Sequence, residues 1–260
     1  MIAEWWRRQR DARALRTHAI PEPLWRLTLD RYPFLADLGG PGDQRLRELA
    51  SLFLSRKEFT AAGGLEMSDE IAVAIAAQAC LPLLWLDLGA YDAFVGIVVH
   101  PDEVLARRER QDEHGIVHHY DETLVGEAME GGPVMLSWRD VAAAGESAAQ
   151  GYNVVIHEFM HVLDMADGRP ADGLPPLPDR AARAHWQRVL EAAYTRFCRA
   201  LESGRDTFLD PYGAEAIEEF FPVTVEAFFV APNALREEQP QLYDLFCSYF
   251  KQDPAARPPR

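Results

Sequence analysis

Cysteine is scarce in this chain: Cys80, Cys198 and Cys247 are the only three in 260 residues, and they lie far apart. That spacing suits neither a disulfide framework nor a cysteine-built zinc site. Long apolar runs are missing too. The longest, "IAVAIAAQACLPLLWL", falls short of the roughly 18 residues a membrane helix needs, and Gln78 and Pro82 interrupt it. The N-terminus, "MIAEWWRRQRDARALR", is charged from Glu4 onward and lacks the apolar core of a secretory signal. Basic charge is in the minority, with 26 Lys and Arg against 41 Asp and Glu and a formal net charge of −15. Such a balance disfavours nonspecific binding to nucleic acid or to an anionic membrane, while leaving room for a basic patch facing a protein partner. Internal repeats and long low-complexity segments are absent as well. These absences point to a cytoplasmic protein with no direct nucleic-acid or membrane role. A composition of 48% hydrophobic and 26% charged residues is that of an ordinary globular chain, long enough for one sizeable core.

What the chain does have is the stretch "NVVIHEFMHVLDMADG", Asn153 to Gly168. Positions four apart on a helix lie one above the other on one face, so His157 and His161 can aim their imidazoles at one point. Glu158 sits about 100° around the helix, beside that point. This is the H-E-x-x-H arrangement, with two neutral nitrogen ligands for zinc and a carboxylate placed to handle a proton of water. A solvated polar face could carry the same letters. However, Val154, Val155, Ile156, Phe159, Met160, Val162 and Leu163 wrap this helix in apolar side chains, as in a buried element. Polar groups converging there need a partner, and a metal supplies one.

Around that helix the sequence predicts an α+β architecture, mainly helical with a small mixed sheet. Residues 1–60 read as helical, with Leu46, Leu49, Leu52 and Phe53 on one stripe. Ser68 is the expected cap of a helix through "SDEIAVAIAAQAC". "LLWLDL", "FVGIVVHP" and "GGPVMLSW" read as strands, and "RRERQDEHGIVHHYDET" reads as a polar hairpin or excursion. His114, His118 and His119 fall in that excursion. His118 and His119, being adjacent, would point to opposite faces and read as surface histidines. His100 and His185 have no partner at metal spacing. Trp5, Trp6, Trp25 and Trp186 are read as packing residues. The long "DRAARAHWQRVLEAAYTRFCRALESG" helix follows, then "DPYGAEAIEEFFPVTVEAFFVAP" and a closing helix through "QPQLYDLFCSYFKQDP".

A catalytic zinc commonly has three protein ligands and an open position for water. In the extended H-E-x-x-H-x-x-G-x-x-H pattern Asp167 would occupy the last slot. Yet Asp164 stands where that pattern needs glycine, and a continuous helix would carry Asp167 away from the histidines. The alternative is a carboxylate from a second helix, which the glutamate-rich stretch Glu215 to Glu226 can supply. Asp164 would then accept the free ring N–H of a zinc-bound histidine, or bond nearby backbone. Glu219 and Glu226 lie seven apart and spacing does not choose between them. Pro222 bears on the choice. A helix starting near Glu218 keeps Pro222 in its first turn and Glu219 helical, whereas one starting at Pro222 favours Glu226.

"RLRELASLFLSRKEF", "IAAQACLPLLWL", "GGPVMLSW", "NVVIHEFMHVLDMADG", "DPYGAEAIEEFF" with "EAFFVAP", and "LYDLFCSYFKQDP" together resemble the Mlc titration factor A family of bacterial zinc peptidases. The resemblance covers nearly the whole chain. It implies a single zincin-like, gluzincin-like domain over 1–254, helical over about 1–80 with a catalytic core over about 81–254. The tail "AARPPR" over 255–260 reads from its own composition as disordered. The implied fold is similar to that of the anthrax lethal factor catalytic domain. It further implies one zinc per chain held by His157, His161 and Glu219, with Glu158 as general base and Tyr212 as a tyrosine near the metal. Glu226 would then bond a histidine or backbone of the metal helix. The implied activity is that of an aminopeptidase on small peptides, and the implied partners are a peptide substrate and an Mlc-like glucose repressor. By similarity to zincins, "PVMLSW" could be the edge strand along which a peptide pairs, or plain core. The other class of function is a non-catalytic regulator-binding protein with a structural zinc. Glu158 speaks against it, because a structural zinc needs no uncoordinated carboxylate beside its first ligand.

Overall fold

A computed structural model describes residues 2–102, 104–111, 117–124, 126–128 and 131–257. Helices α1 (Ile2–Thr17), α2 (Glu22–Arg31) and α3 (Gly40–Arg56) come first. Leu46, Leu49, Ala50 and Phe53 make the buried stripe of α3. Trp25 is buried as expected, but Trp5 and Trp6 are 53% and 63% exposed and pack edge-on against each other instead of the core. Helix α1 carries five arginines and little apolar surface besides these rings, so it has no hydrophobic stripe with which to bury them.

The helical reading of 1–60 stops four residues early. After Arg56 the chain extends into β1 (Glu58–Ala61), while the buried Lys57 turns its ammonium to the carbonyls of Tyr91 and Phe94. Helix α4 (Asp69–Cys80) is capped by Ser68, whose hydroxyl accepts the Ile71 N–H. The segment "LLWLDL" is not a strand. Leu83, Leu84 and Leu86 donate to carbonyls three residues back, so the chain coils in successive turns that bury neighbouring Leu83 and Leu84 together. A half-buried strand would send neighbours to opposite faces.

Strands β2 (Gly96–His100), β3 (Val104–Gln111), β4 (Val117–Leu124), β5 (Gly126–Ala128) and β6 (Val134–Ser137) follow. β3 and β4 form an antiparallel hairpin. The other strands make one mixed sheet in the order β1-β2-β6-β5, parallel from β1 to β6 and antiparallel at β5. "PVMLSW" therefore supplies an inner strand, bonded on both sides, and the sheet edge beside it is β5. The three-residue "GEA" was too short to show a period. His114 lies outside the described residues, as do the side chains of His118 and His119 on β4.

Helix α5 (Trp138–Ser147) leads to α6 (Val154–Asp164), then α7 (Arg180–Glu202), α8 (Ile217–Val230), α9 (Pro232–Glu238) and α10 (Pro240–Phe250). Rings from α7, α8 and α10 interlock: Trp186 meets Phe221 and Phe246 with centroids 5.9 and 5.6 Å apart, and Phe228 meets Phe246 at 5.7 Å. Aromatic pairs of this kind anchor the helix that faces α6. Residues 255–257, expected in a disordered tail, are tied down. Ala255 N–H donates to the Tyr243 hydroxyl, and Arg257 donates to Gln252 and to the Phe34 carbonyl. Residues 258–260 lie outside the described residues. Among the described residues no helix is long and apolar enough to cross a membrane.

Candidate metal centre

Asn153 starts α6. Its side-chain oxygen accepts the Ile156 N–H at 2.9 Å, the usual N-cap bond, so the helix begins where the apolar run begins. Four residues on, the helical repeat brings the His157 and His161 rings within 5.0 Å, centroid to centroid. Glu219, in the first turn of α8, reaches across. Its Oε2 lies 3.2 Å from His157 Nε2 and 3.3 Å from His161 Nε2. Ligand atoms at about 2.0–2.1 Å from a tetrahedral ion stand about 3.3 Å from one another, so the three donors fit one divalent cation. They form the one such cluster among the described residues.

Glu226, two turns along α8, stands behind the first histidine. His157 Nδ1 is 2.7 Å from Glu226 Oε1, and Glu226 Oε2 accepts the Asn153 N–H at 2.5 Å. A carboxylate at Nδ1 holds the ring proton there and leaves the Nε2 lone pair for the cluster. The spacing that left two glutamates equivalent is thus divided by geometry: Glu219 faces both histidines, and Glu226 faces one ring from its far side and the helix start.

Pro222 does not sit in the first turn. Ala216 caps α8, with Glu219 and Phe220 N–H both reaching its carbonyl, so Pro222 is inside the helix and Glu219 is in its opening turn. A turn at Pro211–Ala214 precedes the helix, and the backbone at Ala216 is extended. Tyr212 lies in that turn. Its backbone N–H donates to Asp210, its ring centroid is 6.0 Å from that of His157, and it is 42% exposed.

Burial works against a charge on His157, but Glu226 and Glu219 outweigh it and lift the imidazole well above its ordinary pKa. Burial likewise opposes ionisation of Glu219, yet the bonds from His157 and His161 hold its carboxyl well below the usual range. Glu158 and Glu226 are pushed up by burial, against the pull of His157. Glu158 is only 6% exposed and stands beside the three donors without joining them.

Asp164 turns the other way. Its Oδ2 accepts the N–H groups of Asp172 and Gly173 at 2.9 and 2.7 Å, which fastens the loop after α6 to its last turn. Of the two uses open to it, bonding backbone is the one the geometry displays. Asp167 pairs with Arg169, away from the cluster. His100 and His185 take no part in it. One supporting residue escaped the sequence reading. Gln78, fully buried in α4, accepts a bond from the Asn153 amide at 2.8 Å and donates to the Ala74 carbonyl, tying the start of α6 to α4. Its signal was available: a lone amide inside an otherwise apolar helix needs a buried partner.

Two helix histidines and a carboxylate from a second helix, with a second acid alongside, make a candidate metal-binding site. The family model described as glucose-regulated metallo-peptidase M90 matches residues 3–251. Proteins named Mlc titration factor A are similar over most of their length. That of Serratia proteamaculans is 35% identical over 227 residues, 86% of this chain and 86% of the relative. That of Klebsiella pneumoniae is 33% identical over 227 residues, 86% of this chain and 84% of the relative. An uncharacterized protein of Synechocystis sp. is 35% identical over 234 residues, 89% of this chain and 85% of the relative. The chain belongs to the M90 family of metallopeptidases.

Proposed function

We propose that this chain is a zinc-dependent peptidase of the zincin type, cytoplasmic, acting as an aminopeptidase on small peptides. The observation that supports this reading is the meeting of His157 Nε2, His161 Nε2 and Glu219 Oε2 beside a buried Glu158 that is not itself in the donor set. His157, His161 and Glu219 would hold the ion, which when bound supplies a Lewis acid that acidifies water and polarises a scissile carbonyl. Glu158 takes the proton of the attacking water on its carboxylate and passes it to the leaving amine. Tyr212 donates its hydroxyl proton in a hydrogen bond to the developing oxyanion. Glu226 keeps the proton on His157 Nδ1 so that Nε2 stays a ligand. The open edge for pairing an extended peptide is β5, since β6 is bonded on both sides.

Metal analysis and peptidase assays on wild type and Glu158→Gln test the reading. The wild type should carry close to one zinc per chain and cleave small amino-terminal substrates. Glu158→Gln should keep the metal and lose hydrolysis by about 10²–10⁴-fold. A fully active Glu158→Gln would overturn the mechanism.

The names of the relatives favour a second role that is compatible with the first, binding to an Mlc-like repressor. Co-purification of the chain with such a repressor, repeated with Glu158→Gln, separates the two roles: binding should survive the loss of hydrolysis.

A further inference from the structure

Strand β5 crosses α6 at Glu158 with its bare backbone. A Cβ built on Gly126 would lie 2.5 Å from Glu158 Oε1, 2.6 Å from Cγ and 2.7 Å from Cδ. Real Cβ atoms do not approach so closely, and the clash is not confined to the far end of the side chain. It involves the carbon next to the Glu158 Cβ, so turning the carboxylate alone would not relieve it. Glu158 is also buried and has little room to take another rotamer. Backbone conformation is not what demands glycine at 126. It pairs in register with Leu136 and is not among the residues with positive φ. An extended residue of any type would fit that backbone, and only the space calls for glycine.

We propose that Gly126 is a positioning residue for the general base: the side-chain-free edge strand is the wall that fixes where the Glu158 carboxylate stands. This rests on the reading of Glu158 as base. Strand alternation puts Gly126 and Ala128 on one face, and Ala128 packs against the core. That face is therefore seated on the helix, and strand and carboxylate are located together. Residues that differ in size at position 126 would then change the reach of the base without touching a metal ligand.

The test is a double-mutant cycle between Gly126→Ala and Glu158→Ala, read by thermal unfolding, with kinetics and zinc content of Gly126→Ala alongside. With Glu158 present, Gly126→Ala should lower Tm. With Glu158→Ala it should leave Tm unchanged or raise it, because alanine suits a strand better than glycine once the obstacle is gone. The single variant should keep its zinc and its KM while kcat falls about 10²-fold, the scale of an ångström-sized misplacement. An equal Tm loss in both backgrounds, or an unchanged kcat, would overturn the proposal. If Gly126→Ala alone does not fold, recovery of folding in the double variant supports it and continued failure overturns it. The thermal cycle reads the contact whether or not the chain is a peptidase. Failure of the base assignment would instead appear in Glu158→Gln, so the two outcomes are distinguishable.

Discussion

Helices α6 and α8 face each other across the donor cluster, and they are held by different means. α6 opens on a capping side chain, continues in an apolar run and is tied at its start to α4 through Asn153 and Gln78. α8 has no capping side chain and carries Pro222 inside it, where the ring removes a donor and crowds the preceding turn. Its position comes from burial. Phe220, Phe221, Phe228 and Phe229 are all sequestered, and the Thr224 hydroxyl bonds the Phe220 and Phe221 carbonyls near the proline. The histidine pair is therefore a local property of one helix, whereas the third donor is delivered by packing.

The strongest way to break the comparison is to remove donors from each helix. His161→Ala and Glu219→Ala should both empty the site, with metal content near zero by elemental analysis, whereas Glu226→Ala should weaken affinity about 10–100-fold and refill at saturating metal. A Glu226→Ala that loses metal more completely than Glu219→Ala would exchange their roles.

Tyr212 lies on the turn that feeds α8, with its ring centroid 6.0 Å from that of His157 on α6. Tyr212→Phe should keep the metal and slow kcat by about 10²–10³-fold if its hydroxyl meets the oxyanion, and a kcat within error of wild type removes it from the chemistry.

The two helix starts can be compared by stability. Asn153→Ala removes a cap and leaves the Gln78 amide oxygen unpaired in the core, which should cost about 3 kcal/mol in urea unfolding. Pro222→Ala restores an N–H to the interior of α8 and should stabilise by about 1 kcal/mol with metal content unchanged. A destabilised Pro222→Ala would mean that the ring packs too well for its lost hydrogen bond to matter.

The smallest effect concerns the far end of α6. Burial pushes Asp164 up to about 6, against the pull of the Gly173 and Asp172 N–H groups. A carboxyl raised in the folded state contributes stability that is present below its unfolded pKa of about 3.9 and lost as pH rises through about 6. Asp164→Asn should therefore flatten the pH dependence of stability between about pH 4 and 6. Its metal affinity should stay near wild type, since the carboxylate serves the loop at Asp172–Gly173. A large drop in affinity under chelator competition would instead couple Asp164 to His161.

Much of the site was legible because it is periodic. The repeat of α6 puts His157 over His161 and Glu158 beside them whatever the rest of the chain does, and Asn153 and Ser68 mark helix starts by side-chain chemistry alone. The strand reading of "LLWLDL" failed because a short apolar run has no period to separate a strand from buried turns. β1 and β5 escaped notice because three or four residues become strands only through their neighbours in the sheet. Trp5 and Trp6 were expected to pack because aromatic rings usually do, and they are exposed because α1 has no apolar face to share with them.

By itself, then, the sequence determined the pair of histidines, the adjacent acid and the helix that carries them, since those depend on contacts a few residues apart. Local spacing left Glu219 and Glu226 open, and only the family resemblance favoured Glu219. Tertiary structure put Glu219 against both histidines, put "PVMLSW" inside the sheet instead of at its edge, and set Gly126 against Glu158. These are matters of which surfaces meet, and residues about sixty apart on α6 and α8, or about thirty apart on β5 and α6, are brought together by burial that no local spacing encodes.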